Sequence, residues 1–286
     1  MKKINVVSLF NGMNTGRQAL ENVGIKVYKY YSSEIKPHAI ALTQHHFPDT
    51  IQVGDVTKWK EWDIDWKSID LILSGSPCQD LSAAGKRAGI NGKKSSLFFV
   101  FVDILNHIKK LNPNVLFLQE NVGSASKLDV GIMSRALGIY PVRINSKLVT
   151  AQLRDRYYWS NIRTKATMFD LVTDIPQPKD KGVLLQDIIT SGFVDRDKSL
   201  CLLEGIYSKK PRLDFNKYEK RYRMGMMQIV YESTCTSRLL NKIEMCRLQG
   251  FNDNYCDIIT IEKCASLLGD GWTLPIIEHI FSFIQQ

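Results

Sequence analysis

Short, mostly apolar runs at Ile4–Phe10, Val27–Ser33, Asp70–Ser74 and Val115–Leu118 alternate with stretches whose apolar residues recur at helical spacing, and that alternation admits few folds. A run as continuous as Leu71-Ile72-Leu73 is buried on both faces, a property of parallel strands covered by helices. Helices are predicted over Gly16–Val23, over Pro37–His46 with proline in the first turn, and from a Ser95 or Ser96 cap through Leu97, Phe98, Phe101, Ile104, Leu105 and Ile108. Val53 marks a further strand, and Tyr157-Tyr158-Trp159 continues another. The expectation is an α/β fold, a doubly wound Rossmann-like domain. Toward the C-terminus Asn241 and Glu244 form a capping-box pair, Gly250 suits the position after that helix, Thr260 caps Ile261–Leu268, and Pro275 opens a last helix over Ile276–Ile284.

At 286 residues and 44% apolar side chains the chain can bury a sizeable core. No apolar stretch approaches the roughly 18 residues that span a bilayer, so a cytoplasmic protein without membrane contact is expected. The six cysteines, at 78, 201, 235, 246, 256 and 264, show neither a CxxC pair nor zinc-type spacing with histidine. Reduced thiols and no metal are therefore predicted. A formal charge of +9 favours a polyanionic partner, although basic proteins that never touch nucleic acid are common.

The chemistry collects where strands end, because open α/β sheets bind ligands outside their carboxyl edge. Cys78 follows such a strand in the turn Gly75-Ser76-Pro77-Cys78-Gln79, which would project its thiol outward. A thiolate can add to an electron-poor carbon, yet a loop cysteine without a role has the same local sequence. The first loop, Ser8 to Gly16, contains only two glycines and is not a GxGxxG, so a phosphate-free adenosine ligand fits it better than a dinucleotide. Glu34 could accept from both ribose hydroxyls and Asp55 from an adenine amino group; either could also be a solvated loop acid. Glu120, after Val115–Leu118, places a carboxyl group at another strand end. Arg154 and Arg156, two apart on a strand, share one face, which could also be a solvated basic edge.

In order along the chain, the Phe10-Asn11-Gly12 loop, Glu34-Ile35, Gly54-Asp55-Val56, Ser76-Pro77-Cys78-Gln79, Glu120-Asn121-Val122, Gln152-Leu153-Arg154-Asp155-Arg156 and Arg247-Leu248-Gln249-Gly250-Phe251 resemble the motifs of the cytosine-5 DNA methyltransferases. The resemblance covers nearly all of the chain except roughly residues 165 to 235. It implies a methyltransferase domain that binds S-adenosylmethionine, releases S-adenosylhomocysteine, and acts on a flipped cytosine in duplex DNA. It assigns catalysis to Cys78, Glu120, Arg154 and Arg156. The cofactor falls to Phe10, Asn11, Gly12, Thr15, Gly16, Glu34, Ile35, Asp55, Val56, Pro77, Leu97, Asp270 and Trp272, and DNA contact to Gln79, Ser82, Lys86, Arg87 and Gln152. The chain departs from the family in having Gln119 where an aromatic is common and Asp270-Gly271-Trp272 in place of an Asn-Ser turn.

A discontinuous catalytic domain over residues 1–163 plus 256–286 and a small target-recognition domain over 164–255 are expected, in a monomer. The stretch Lys209 to Arg223 is basic and carries tyrosines, which suits phosphate contact, though a charge run is usually a solvated face. RNA methylation on the same scaffold and a silent DNA-binding relative are the alternative functions. The recognised DNA sequence and any link to restriction-modification are not legible.

Overall fold

The computed structural model describes residues 3–77, 96–207, 220, 222–223, 225, 227–233 and 236–284. The expected nucleophile Cys78, the expected DNA contacts Gln79, Ser82, Lys86 and Arg87, and most of the basic Lys209–Arg223 stretch lie outside the described residues. The chain divides into two compact units. The first comprises Met1–Ile144, Asp155–Gln177 and Ile277–Gln286, the second Asn145–Arg154 and Pro178–Ile276. These bounds differ from the expected ones: 164–177 joins the first unit, while 145–154 and 256–276 join the second.

The first unit is built on a seven-stranded sheet of β1 (Ile4–Leu9), β2 (Val27–Ser33), β3 (Ile51–Gln52), β4 (Leu71–Ser74), β5 (Leu116–Val122), β6 (Val142–Asn145) and β7 (Asp155–Ser160), in the order β3-β2-β1-β4-β5-β7-β6. Strands β3, β2, β1, β4 and β5 are parallel, and β7 runs antiparallel to β5. The α/β expectation holds, and the fold is Rossmann-like. Val6, Tyr30, Leu71, Leu73 and Leu118 are buried on one side of the sheet, while Val7, Leu9, Tyr31, Ile72 and Phe117 are buried on the other. Helices α1 (Thr15–Asn22), α2 (Pro37–His46), α3 (Leu97–Leu111) and α4 (Lys127–Leu137) connect the strands. Helix α3 presents Phe98, Phe101, Ile104, Leu105 and Ile108 to the core, the helical stripe that the sequence shows.

Several local expectations shift. The first strand stops at Leu9, because Phe10 turns into the left-handed region at φ 54°. The third strand lies at Ile51–Gln52 rather than at Val53, although the Val53 amide still donates to the Ser32 carbonyl at 2.9 Å. Ser96 stands at the start of α3 with helical angles and makes no side-chain cap bond. A small hairpin, β8 (Thr164–Ala166) with β9 (Leu171–Thr173), completes the described strands of this unit.

The second unit holds the short helices α5 (Leu185–Ile188) and α6 (Glu204–Tyr207), the strand pair β10 (Val230–Tyr231) and β11 (Ser237–Arg238), then α7 (Lys242–Gln249) and α8 (Ile261–Asp270). A last helix, α9 (Leu274–Phe281), starts before Pro275 and passes from the second unit into the first. The capping box at α7 forms as the sequence predicts. Asn241 Oδ1 accepts from the Glu244 amide at 3.0 Å, and Glu244 Oε2 accepts from the Asn241 amide at 2.9 Å. Glu244 does more than cap. Its fully buried carboxylate takes both terminal nitrogens of Arg238 at 2.8 Å, the Thr190 amide at 2.9 Å and the Thr190 hydroxyl at 2.8 Å.

Burial alone would raise the Glu244 carboxyl, but donation from Arg238, Thr190 and Asn241 outweighs it and holds the group below its ordinary value of 4.5. A carboxyl depressed in the folded state stabilises above its unfolded value and loses that contribution as the pH falls through its folded value. Glu244→Gln should therefore cost roughly 3 kcal/mol in urea unfolding at neutral pH, the scale of losing one partner of a buried pair. The gap to wild type should narrow as the pH is lowered beneath 4.5. A pH-independent difference would show that the charge is not what matters.

Candidate active site

Parallel strands β1, β2 and β4 end side by side, with Leu9 in register with Ser33 on one flank and Ser74 on the other. The sheet order reverses between β1 and β4, so the loop after β1 sits at a topological switch point. That loop is tightly wound, with Phe10, Gly12 and Asn14 all at positive φ, 54°, 57° and 66°. Gly12 takes this conformation at no steric cost. Glu34, just past β2, ties the loop down: its Oε2 accepts from the Gly12 amide at 2.8 Å, while Oε1 accepts from Ile35 and Lys36 amides at 2.8 and 2.9 Å. Asn11 is oriented by the wholly buried Tyr30, whose hydroxyl donates to Asn11 Oδ1 at 3.2 Å. Burial pushes the Tyr30 phenol up, which keeps it a donor.

Asp55 lies three residues past β3 and caps the following 3-10 turn. The Thr57 amide and hydroxyl both donate to Oδ1 at 2.9 Å and hold the carboxyl below the usual range, as an acceptor. Ile35, beside Glu34, is 69% exposed, an apolar side chain left open next to a fixed carboxylate. Val56 is buried, and Thr15 and Gly16 are buried in the first turn of α1. Pro77 and Leu97, which flank the segment outside the described residues, are partly exposed.

Glu120 does not sit at a strand end as expected. Strand β5 continues to Val122 because β7 runs antiparallel beside it, pairing Glu120 with Tyr158 and Val122 with Arg156. Residues two apart on paired strands share a face, so Arg156 lies diagonally across from Glu120. The result is an ion pair, Arg156 Nε to Glu120 Oε1 at 2.8 Å, with side chains only 14% and 9% exposed. Gly123 is required at the end of this pairing, since a Cβ there would stand 2.8 Å from Asp155.

Gln119, the departure noted in the sequence, has a role that the sequence does not show. Its Nε2 donates to Ser76 Oγ at 2.9 Å and to the Glu120 carbonyl at 2.7 Å, and Asn121 Nδ2 reaches the same hydroxyl at 3.3 Å. An amide thus fastens the residue two before Cys78 to the strand that carries Glu120. No periodicity signals this, because it depends on β4 and β5 being neighbours.

The remaining expected site residues belong to the second unit. Arg154 precedes β7 and is almost wholly buried, with Nη1 and Nη2 donating to the carbonyls of Gly269 and Gly271 at 2.9 and 2.6 Å. These bonds grip the turn that carries the exposed Asp270 and the partly buried Trp272. Gln152 is buried, and neither end of its amide has a hydrogen-bond partner among the described residues.

A family model described as C-5 cytosine-specific DNA methylase matches residues 4–139, the stretch that carries β1 to β5 and the Glu34, Asp55 and Glu120 sites. The chain belongs to this family. The orphan methyltransferase M.Rho11sI of Bacillus phage rho11s is 31% identical over 207 residues, covering 67% of this chain and 38% of the phage protein. The type II methyltransferase M1.ScrFI of Lactococcus lactis subsp. cremoris is 26% identical over 310 residues, covering 97% of this chain and 77% of its own. The chain spans about two fifths of the phage relative's length. A crystal structure of a Spodoptera frugiperda DNMT2 mutant aligns over 99% of both chains with a TM-score of 0.63 at 18% identity, a likeness of fold.

Methyltransferases of this family use S-adenosylmethionine, and the first unit fits it. Asn14, in the loop after β1, is wholly buried with both amide atoms unpartnered among the described residues, as are the Ser32 and Ser74 hydroxyls on the strands flanking β1. Unmet donors and acceptors of this kind suit a polar ligand, and Glu34 and Asp55 are acceptors held in fixed orientation.

The Gln119–Ser76 bond makes a prediction. Gln119→Leu should lower kcat about tenfold or more with little change in KM for the cofactor, because the loss falls on the turn before Cys78 and not on Glu34 or Asp55. An unchanged kcat would show that the bond has no bearing on turnover.

Proposed function

We propose that the protein methylates carbon 5 of cytosine in duplex DNA, with Cys78 as the nucleophile. The observation that carries the reading is the Glu120–Arg156 ion pair, buried beside a strand whose neighbouring residue, Gln119, anchors the Ser76 turn. Carbon 5 of cytosine is a weak nucleophile. Addition of the Cys78 thiolate at carbon 6, with Glu120 donating to ring nitrogen 3, converts the ring to an enamine that can attack a methyl group. Bound S-adenosylmethionine supplies that methyl as a sulfonium electrophile. Loss of the carbon-5 proton and expulsion of the thiolate then restore the aromatic ring and free Cys78. Arg156 holds the Glu120 carboxyl in one orientation through the 2.8 Å contact, so the acid is placed before the base arrives.

A base inside a duplex hides carbon 6, so the cytosine must be flipped out. The basic balance of the chain, +9, suits the phosphates of the substrate. Gln79, Ser82, Lys86 and Arg87 are proposed to meet the DNA, with Gln152 as a further contact. In this reading Arg154 positions the Gly269–Trp272 turn for the cofactor. Residues 164–177 stay with the sheet, and target recognition falls to the second unit. No helix among the described residues is long and apolar enough to cross a membrane, and a cytoplasmic enzyme is proposed.

Cys78→Ala should keep DNA binding and abolish methyl transfer, measured with labelled cofactor. Wild type should form a stalled adduct on a 5-fluorocytosine duplex, while Cys78→Ala should not. Bisulfite sequencing of DNA from expressing cells should reveal one short methylated site. Methyl incorporation into RNA and none into duplex DNA would transfer the same chemistry to a different polymer and refute the proposed substrate. Arg156→Ala should reduce turnover by roughly a hundredfold, the scale of a misplaced general acid.

A further inference from the structure

Three cysteines that the sequence scatters over Cys246, Cys256 and Cys264 are gathered by the fold of the second unit. Their sulfurs lie within 4.8 Å of one another, and all three side chains are fully buried. Each comes from a different segment: Cys246 from α7, Cys256 from the turns that follow, and Cys264 from α8. Small apolar side chains fill cores, but three sulfurs from three segments need not face one another to do so.

The turn carrying Cys256 is held from α7. Lys242, one helical turn before Cys246, donates its Nζ to the carbonyls of Cys256, Asp257 and Ile259 at 3.3, 3.2 and 3.1 Å. An ammonium is thus fixed next to the cluster, where it offsets negative charge on sulfur.

We propose that Cys246, Cys256 and Cys264 form a binding site for a soft thiophilic cation, Zn(II) or Cu(I), that joins α7 to α8. Thiolate sulfur is the donor that selects these ions over harder ones. With metal–sulfur bonds of about 2.3 Å, three ligands around one ion stand roughly 3.8–4.0 Å apart, so the observed spacing needs to close by less than about 1 Å. A disulfide would need two sulfurs at about 2 Å and would leave the third unused. Among the described residues no histidine, carboxylate or fourth thiol joins the cluster, which gives three protein ligands. Thiol protons leave to solvent as the cation enters. The ion is a structural staple in this proposal. It sets the helix that ends at the Gly269–Trp272 turn and takes no part in methyl transfer, so the inference is independent of the proposed substrate.

The test uses the full chain purified under reducing, anaerobic conditions. Elemental analysis should find close to one Zn or Cu per chain. After chelation, separate titrations with Zn(II), Cu(I) and the probe Cd(II) should identify the preferred ion, with Cd(II) giving a thiolate charge-transfer band that saturates at one equivalent. Cys256→Ser and Cys264→Ser should each lower retained metal at least tenfold. The double variant Cys201→Ser/Cys235→Ser should keep it, which separates this cluster from the other thiols. Reloading should raise the melting temperature of the chelated wild type by several degrees. If a serine variant does not fold, the wild-type titration decides alone. A reduced wild type that takes up no saturable equivalent overturns the proposal. So does full metal retention by both serine variants, or a disulfide between two of the three in the isolated protein.

Discussion

The antiparallel pairing of β7 against β5 is the contact on which the site depends. In a sheet that is otherwise parallel from β3 to β5, each strand ends at the carboxyl edge and only loops can carry chemistry. One strand laid in the opposite sense extends β5 through Glu120 to Val122 and returns Arg156 to the same face. Two charged side chains more than thirty residues apart then meet within a ladder that neither can leave. Backbone hydrogen bonds on both strands fix the carboxyl more firmly than a loop could, and the small exposure of the pair limits competition from water.

The polar groups of the first unit differ in how fully they are satisfied. Glu120 has its guanidinium, Ser76 its Gln119 amide, and Glu34 three backbone amides. Asn14, Ser32 and Ser74 retain buried polar atoms without partners among the described residues. Native interiors rarely leave such atoms unmatched, because each costs about 1–3 kcal/mol.

The second unit is held by a different economy. Glu244 gathers Arg238, Thr190 and Asn241 about one buried carboxylate, and Arg154 grips the carbonyls that follow α8. The late motif therefore reads as a structural junction. The gathered thiols of Cys246, Cys256 and Cys264 belong to the same helical pair, α7 and α8.

The sequence by itself determined the elements and the family. Continuous apolar runs, helical stripes such as the one on α3, and the Asn241–Glu244 box are local signals, and local signals survive without tertiary information. It also placed Glu34, Asp55 and Glu120 near one edge of the sheet. It put Glu120 at a strand end, whereas the strand runs on to Val122, lengthened by a partner that lies far along the chain. Only the tertiary structure decided that Gln119 fastens Ser76, that Arg154 holds the Gly269 and Gly271 carbonyls, that Arg156 pairs with Glu120, and that three distant cysteines converge. Each of these is a contact between segments brought together by strand order and helix packing, and spacing along a chain carries no record of which strands become neighbours.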